Sequence, residues 1–145
     1  TFDGGYICAG WAGTEGSGNM NYWLLKLKPD GDREWELMLD RGLSDRAYTA
    51  IQTTDGGYVT AGYTYSSESG GSDFWIVRLN AAGEYLWESI FNGSEGSIDE
   101  ARAIDQTWDG GFFFAGNSMS VDNRDNIWIM KVDRDGEIPV QWTGE

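Results

Sequence analysis

Apolar and polar positions in this chain fall into short runs, each bounded by glycine or by clusters of Asp, Asn and Ser. Three runs are rich in aromatic and branched residues: Tyr22-Trp23-Leu24-Leu25-Lys26-Leu27, Phe74-Trp75-Ile76-Val77-Arg78-Leu79 and Ile127-Trp128-Ile129-Met130-Lys131-Val132. Their length, composition and glycine borders predict strands. No segment carries a convincing helical period, and 21 glycines against two prolines agree with an all-β class.

The runs recur in a fixed order. Asp3-Gly4-Gly5-Tyr6 leads to Ala9-Gly10, Asp55-Gly56-Gly57-Tyr58 to Ala61-Gly62, and Asp109-Gly110-Gly111-Phe112 to Ala115-Gly116, at spacings of 52 and 54 residues. The aromatic strand ending in Lys26, Arg78 or Lys131 follows, then a turn at Gly31, Gly83 or Gly136, then a third strand holding Trp35 or Trp87. In the third repeat Val140 stands at that position and Trp142 comes two residues later, which predicts a shifted or bulged strand. A fourth phrase appears twice, from Asp45-Arg46-Ala47 to Gln52-Thr53 and from Asp99-Glu100-Ala101 to Gln106-Thr107.

A period of about fifty residues with four short strands is that of a β-propeller blade rather than a helical solenoid. The expectation is a single array over 1–145, with repeats near 1–54, 55–108 and 109–145 and four antiparallel strands per blade. The third repeat lacks its last strand. Three blades do not close a ring, since propellers have about four to eight. The expected partners are therefore further blades of a longer chain, or copies of this one in a homo-oligomer or filament.

Each phrase has a physical reading. Asp-Gly-Gly predicts a tight hairpin, with positive φ for a primed turn and the Asp carboxylate capping it. The first strands, with their small residues, suit an inner position near a crowded axis. Gly10, Gly62 and Gly116 allow close approach of sheets or mark a bulge. Trp23, Trp75 and Trp128 are expected to fill the space between blades, where burying one is worth about 4–6 kcal/mol before entropy.

Charge and composition narrow the function. With 24 acidic and 10 basic residues the net charge is −14, which disfavours nucleic acid and anionic lipid and suits cations or basic partners. No apolar run approaches the roughly 20 residues of a membrane span. Histidine is absent, so a Ser-His-Asp triad is excluded, and Cys8 is read as a small core residue. The chain starts inside a motif and without Met, so the missing leader says nothing of a parent protein.

These phrases resemble the Asp-Gly-Gly-Tyr type propeller repeats of secreted and cell-surface proteins of bacteria and archaea, and are kelch-like in their glycine-then-tryptophan order. The resemblance covers nearly the whole chain. It implies an extracellular or cell-surface setting and a binding or structural role, not a chemistry.

Candidate chemistry is sparse. Asp133 and Asp135, with Asp30 and Asp32, are the calcium candidates, but the matching turn Asn80-Ala81-Ala82-Gly83 has no carboxylate, which favours an ordinary turn; no cofactor is expected. Asp99 and Glu100 could suggest a glycosidase pair, yet neighbours on a strand point to opposite faces. The variable segments 11–21, 63–73 and 117–126 read as loops, with Trp11, Tyr63 and Tyr65 as ligand-binding aromatics. The expected function is a non-catalytic structural or interaction module, self-assembling or part of a larger propeller. The alternative is glycan or protein binding through rim loops, and an enzyme ranks last.

Overall fold

The computed structural model describes residues 1–13, 19–66, 70–93, 95–119 and 125–138. Among these residues ten strands follow one another: β1 (Tyr6–Gly13), β2 (Met20–Leu27), β3 (Arg33–Leu39), β4 (Asp45–Gln52), β5 (Tyr58–Ser66), β6 (Gly71–Leu79), β7 (Tyr85–Phe91), β8 (Ile98–Gln106), β9 (Phe112–Met119) and β10 (Asp125–Val132). The fold is all-β, with no helix among the described residues. Val140 and Trp142 lie outside the described residues.

Consecutive strands pair antiparallel in three meanders, β1-β2-β3, β4-β5-β6-β7 and β8-β9-β10. One parallel bridge, Ser72 to Ile98, joins the second and third into a seven-stranded sheet. The second and third meanders start at the Asp45 and Asp99 phrases, so the unit 45–91 is offset by one strand from the repeat 55–108. The short connection across Asp-Gly-Gly forces β4 against β5. Hence β4 lies at the edge of the sheet and β5 between β4 and β6.

The turn differs too. Gly56 N–H donates to Thr53 O at 2.8 Å and Thr53 N–H to Gly57 O at 2.9 Å, and 107–111 repeats the arrangement. Positive φ belongs to the first glycine alone, at 81°, 87° and 83° for Gly4, Gly56 and Gly110. That residue ends the turn instead of occupying its centre. The loop is therefore a three-residue connection with a glycine bulge, not the expected primed turn. The second glycine answers to space: a Cβ on Gly57 would lie 2.5 Å from Leu79 O and 2.5 Å from an Arg78 nitrogen.

The Asp of each turn binds the basic residue near the end of the second strand that follows it. Lys26 reaches Asp3 at 2.7 Å, Arg78 holds both oxygens of Asp55 at 2.8 and 2.7 Å, and Lys131 pairs with Asp109. Two sequence phrases are thus one electrostatic unit. The Thr53 hydroxyl, the Gly57 N–H and Arg78 hold the Asp55 carboxyl below its ordinary pKa, against the opposing effect of burial. Burial pulls the Lys26 ammonium down, but Asp3 and Glu34 together outweigh it and leave its pKa raised.

Two apolar clusters hold the meanders together. Between the first and second lie Tyr22, Leu24, Ala47, Tyr58, Trp75, Val77 and Leu79. Between the second and third lie Val59, Ala61, Phe74, Ile76, Ala101, Ile104, Phe112, Phe114, Met130 and Val132. Alternate residues of β6 enter opposite clusters, so every position of that strand is buried. Trp75 packs on Tyr22 with ring centroids 4.7 Å apart, and Trp128 on Phe74 at 4.6 Å. Trp35 and Trp87 lie over the turn glycines of the following unit, Gly83 and Gly136.

Asp55 has a folded pKa below its unfolded one, so its stabilisation is present above about pH 4 and fades as pH falls toward the folded value. Asp55→Asn is expected to lower the melting temperature at neutral pH, with wild-type and variant curves converging in acid. Thermal melts across pH check this, and a gap that stays constant down to pH of about 2 would overturn it.

Candidate functional site

The Ala-Gly phrase builds the site through two bulges. Pairing of β4 with β5 jumps from Ala47↔Gly62 to Thr49↔Ala61, leaving Tyr48 as the extra residue. Pairing of β8 with β9 jumps from Ala101↔Gly116 to Ala103↔Ala115, leaving Arg102. The facing glycines are what permit this. A Cβ on Gly62 would sit 1.8 Å from Arg46 O; on Gly116 it would sit 2.0 Å from Glu100 O and 2.8 Å from the Phe74 ring. A bulge re-aims its extra side chain, and here both extra side chains meet.

They form one row of rings and cations. The Arg102 guanidinium lies 3.9 Å from the centre of the Tyr48 ring. Tyr48 touches Tyr63 at 5.7 Å and meets Trp11 edge-on at 6.0 Å. Arg46 lies between the latter two, 5.0 Å from the Trp11 ring and 5.9 Å from that of Tyr63. Glu100 closes the far end, accepting from the Tyr48 hydroxyl at 3.2 Å and pairing with Arg102. Burial, reinforced by the Glu100 charge, raises the Tyr48 pKa, so its hydroxyl stays protonated at neutral pH.

Arg46 is the unusual member. In a chain with 24 acidic residues, its guanidinium has no carboxylate partner among the described residues, and its Nε is buried without an acceptor. Ring faces hold it instead, an arrangement worth about 0.5–2 kcal/mol per contact. Trp11 remains 45% exposed beside it. An exposed indole face and a guanidinium without a carboxylate partner among the described residues stand together, the donor set for a ring-shaped ligand bearing oxygens.

The structure brings Trp11 and Tyr63 together, with Arg46 between them, and leaves Tyr65 half-exposed without a ring contact to them. All three lie on strands rather than in loops, because β1 and β5 stay paired as far as Gly13 and Ser66; Tyr63 is buried. Trp75 is fully buried, and Trp23 and Trp128 half-buried. Gly10 contacts only the Trp23 ring, at 3.7 Å, unlike Gly62 and Gly116. Cys8 is exposed rather than in the core, since β1 turns that face outward at the end of the stack.

The carboxylates have structural partners. Asp133 accepts from Asp135 N–H at 2.9 Å and Glu137 N–H at 3.0 Å. Asn80 accepts the equivalent pair from Ala82 and Glu84, both at 2.9 Å. An amide doing the same task shows that the turn needs an acceptor and not a charge. No group of three or more metal-ligating side chains gathers among the described residues. Asp99 is buried and accepts from Gly93 N–H and the Ser97 hydroxyl, whereas Glu100 points into the row.

Arg46, Tyr48 and Arg102 escape the sequence reading as site residues, and Glu100 enters it only in the rejected pair with Asp99. A partial signal was there: in Ala101-Arg102-Ala103-Ile104 the apolar positions are 101, 103 and 104, so strict strand alternation breaks at this point. Equivalent positions also differ between repeats, Arg46 against Glu100 and Tyr48 against Arg102, while the surrounding phrase is constant. No protein-family model matches the chain, and no curated protein sequence matches it.

Gly116→Ala is expected to cost about 3 kcal/mol or more, and Gly10→Ala under about 1 kcal/mol, in urea melts. Equal costs would contradict the bulge-forming role. Asp133→Asn should leave the melting temperature within about 1–2 °C of wild type with or without millimolar calcium, and a calcium-dependent loss would restore a metal role.

Proposed function

We propose that this chain is a non-catalytic interaction module of propeller-type blades that recognises a glycan at the row Trp11–Arg46–Tyr63–Tyr48–Arg102. The antiparallel meanders, their repeated packing and the resemblance of the phrases to secreted and cell-surface propeller repeats support the blade reading and an extracellular or cell-surface setting. Recognition is carried by one observation: an exposed Trp11 face beside a guanidinium that no carboxylate neutralises among the described residues.

The chemistry follows from those groups. A sugar ring stacks its C–H face on Trp11, and Arg46 donates to a hydroxyl or carboxylate oxygen. Arg102 and Tyr48 extend the surface, so acidic saccharides are preferred over neutral ones. The two buried aspartates at the strand starts, Asp45 and Asp99, take no part: each accepts a backbone N–H from the turn before it. A rigid scaffold with few ordering costs favours such binding.

A glycan array of neutral and uronic-acid saccharides tests this, followed by titration of the strongest hit using tryptophan fluorescence. Trp11→Ala should weaken binding by about tenfold or more, a loss of about 1.4 kcal/mol, and Tyr65→Ala by under about twofold. An array without a hit, or equal effects of the two substitutions, would overturn the reading.

A further inference from the structure

The two faces at the ends of the stack present the repeat positions that form both internal junctions. We propose that the outer face of the third meander docks onto the outer face of the first meander of a second copy, making a head-to-tail contact that repeats those junctions. This goes beyond the recognition row and does not depend on it.

At an internal junction, the side chains of one β2-type strand pack on the next unit. Tyr22, Leu24 and Lys26 do so at the first junction, and Phe74, Ile76 and Arg78 at the second; the four apolar groups are at most 1% exposed. Their counterparts on β10 are Ile127, Ile129 and Lys131. Ile127 is 81% exposed and Ile129 57%, and Phe113 beside them is also exposed although its counterpart Val59 is buried. Here, then, is a face of junction type with nothing packed upon it among the described residues.

The receiving face shows the reverse. Tyr58 and Phe112 are 3% and 1% exposed because a preceding unit covers them, and their counterpart Tyr6 is 56% exposed. Cys8 is exposed where Thr60 and Phe114 are fully buried. Leu25 and Leu27 are half-buried where Val77, Leu79 and Val132 are fully buried. Gly83 and Gly136 touch Trp35 and Trp87 of the preceding unit, while Gly31 has nothing within 4 Å.

The pairing across the new contact follows from the two existing ones. Tyr58 borders Lys26, and the Phe112 ring lies 5.9 Å from the Arg78 guanidinium. Tyr6 of one copy therefore covers Lys131 of the other. Thr60 accepts or donates at 3.0 Å with the Tyr22 hydroxyl, which places Cys8 against Ile127. The two faces differ, so the contact is heterologous: it either closes a ring or extends a filament. The acidic net charge of each copy opposes it, and added salt strengthens it by screening.

The test uses the 145-residue chain. Sedimentation across a dilution series, with and without added salt, is expected to show association. Modification of the Cys8 thiol by a maleimide is expected to slow by about tenfold on passing from the dissociated to the associated range. Two variants at exposed sites fix the geometry. Tyr6→Lys blocks one face and Ile129→Lys the other, so each alone stays at monomer mass, and their equimolar mixture forms a 1:1 dimer. Circular dichroism confirms that both keep the strand signal. A wild-type chain that remains monomeric with an open Cys8 would overturn the proposal and leave the faces to a different partner. Variants that still self-associate like wild type, or a mixture that stays monomeric, would overturn it equally.

Discussion

Packing of one meander's apolar face on the next is the interaction on which everything else depends. A single antiparallel meander has two faces and too little area to bury either alone. Here the second meander buries both. β6 sends Trp75, Val77 and Leu79 toward Tyr22 and Leu24, and Phe74 and Ile76 toward Phe112, Phe114 and Val132. Those contacts recur with the repeat because the same side chains recur, so the fold is a stack whose rule can be extended at either end. The stack also fixes where polarity is tolerated. Arg78 is buried only because Asp55 and the Tyr58 and Leu79 carbonyls accept hydrogen bonds from it, and Lys26 likewise through Asp3, Glu34 and the Leu27 carbonyl. A buried cation without such acceptors would be strongly unfavourable.

Glycine links this scaffold to the candidate site. Within the hairpin loop one glycine supplies positive φ and its neighbour supplies room. Within the strand, Gly62 and Gly116 supply room alone, so that the facing carbonyls of Arg46 and Glu100 can press in and a bulge can form. Each bulge then turns one extra side chain, Tyr48 or Arg102, out of the strand's alternation. The repeat keeps the glycine and varies the side chain it releases. Scaffold and recognition are therefore written at adjacent positions, with the constant ones governing shape and the variable ones chemistry.

The excess of acid is largely a property of the surface and the turns. Asp3, Asp55 and Asp109 close hairpins and neutralise strand-end cations. Asp30, Asn80 and Asp133 accept backbone N–H groups in the following turns. Against this background Arg46 stands out, because among the described residues aromatic faces and not carboxylates hold it.

The amino-acid sequence by itself determined the strand class, the order of the phrases, the strand runs at 22–27, 74–79 and 127–132, and the burial of Trp75. These follow from local causes: alternation, glycine at turns, and large apolar groups at equivalent positions. It also marked Gly62 and Gly116 as bulge or close-approach positions, without saying which residues the bulges would release. Only the tertiary structure decided that β4 opens the meander, that Asp55 serves Arg78 in the same repeat, and that Trp11, Arg46, Tyr63, Tyr48 and Arg102 meet. Those residues come from four strands of three meanders, and their proximity depends on bulge register and sheet stacking. Such contacts have no local signature, because the interactions that create them act between segments tens of residues apart.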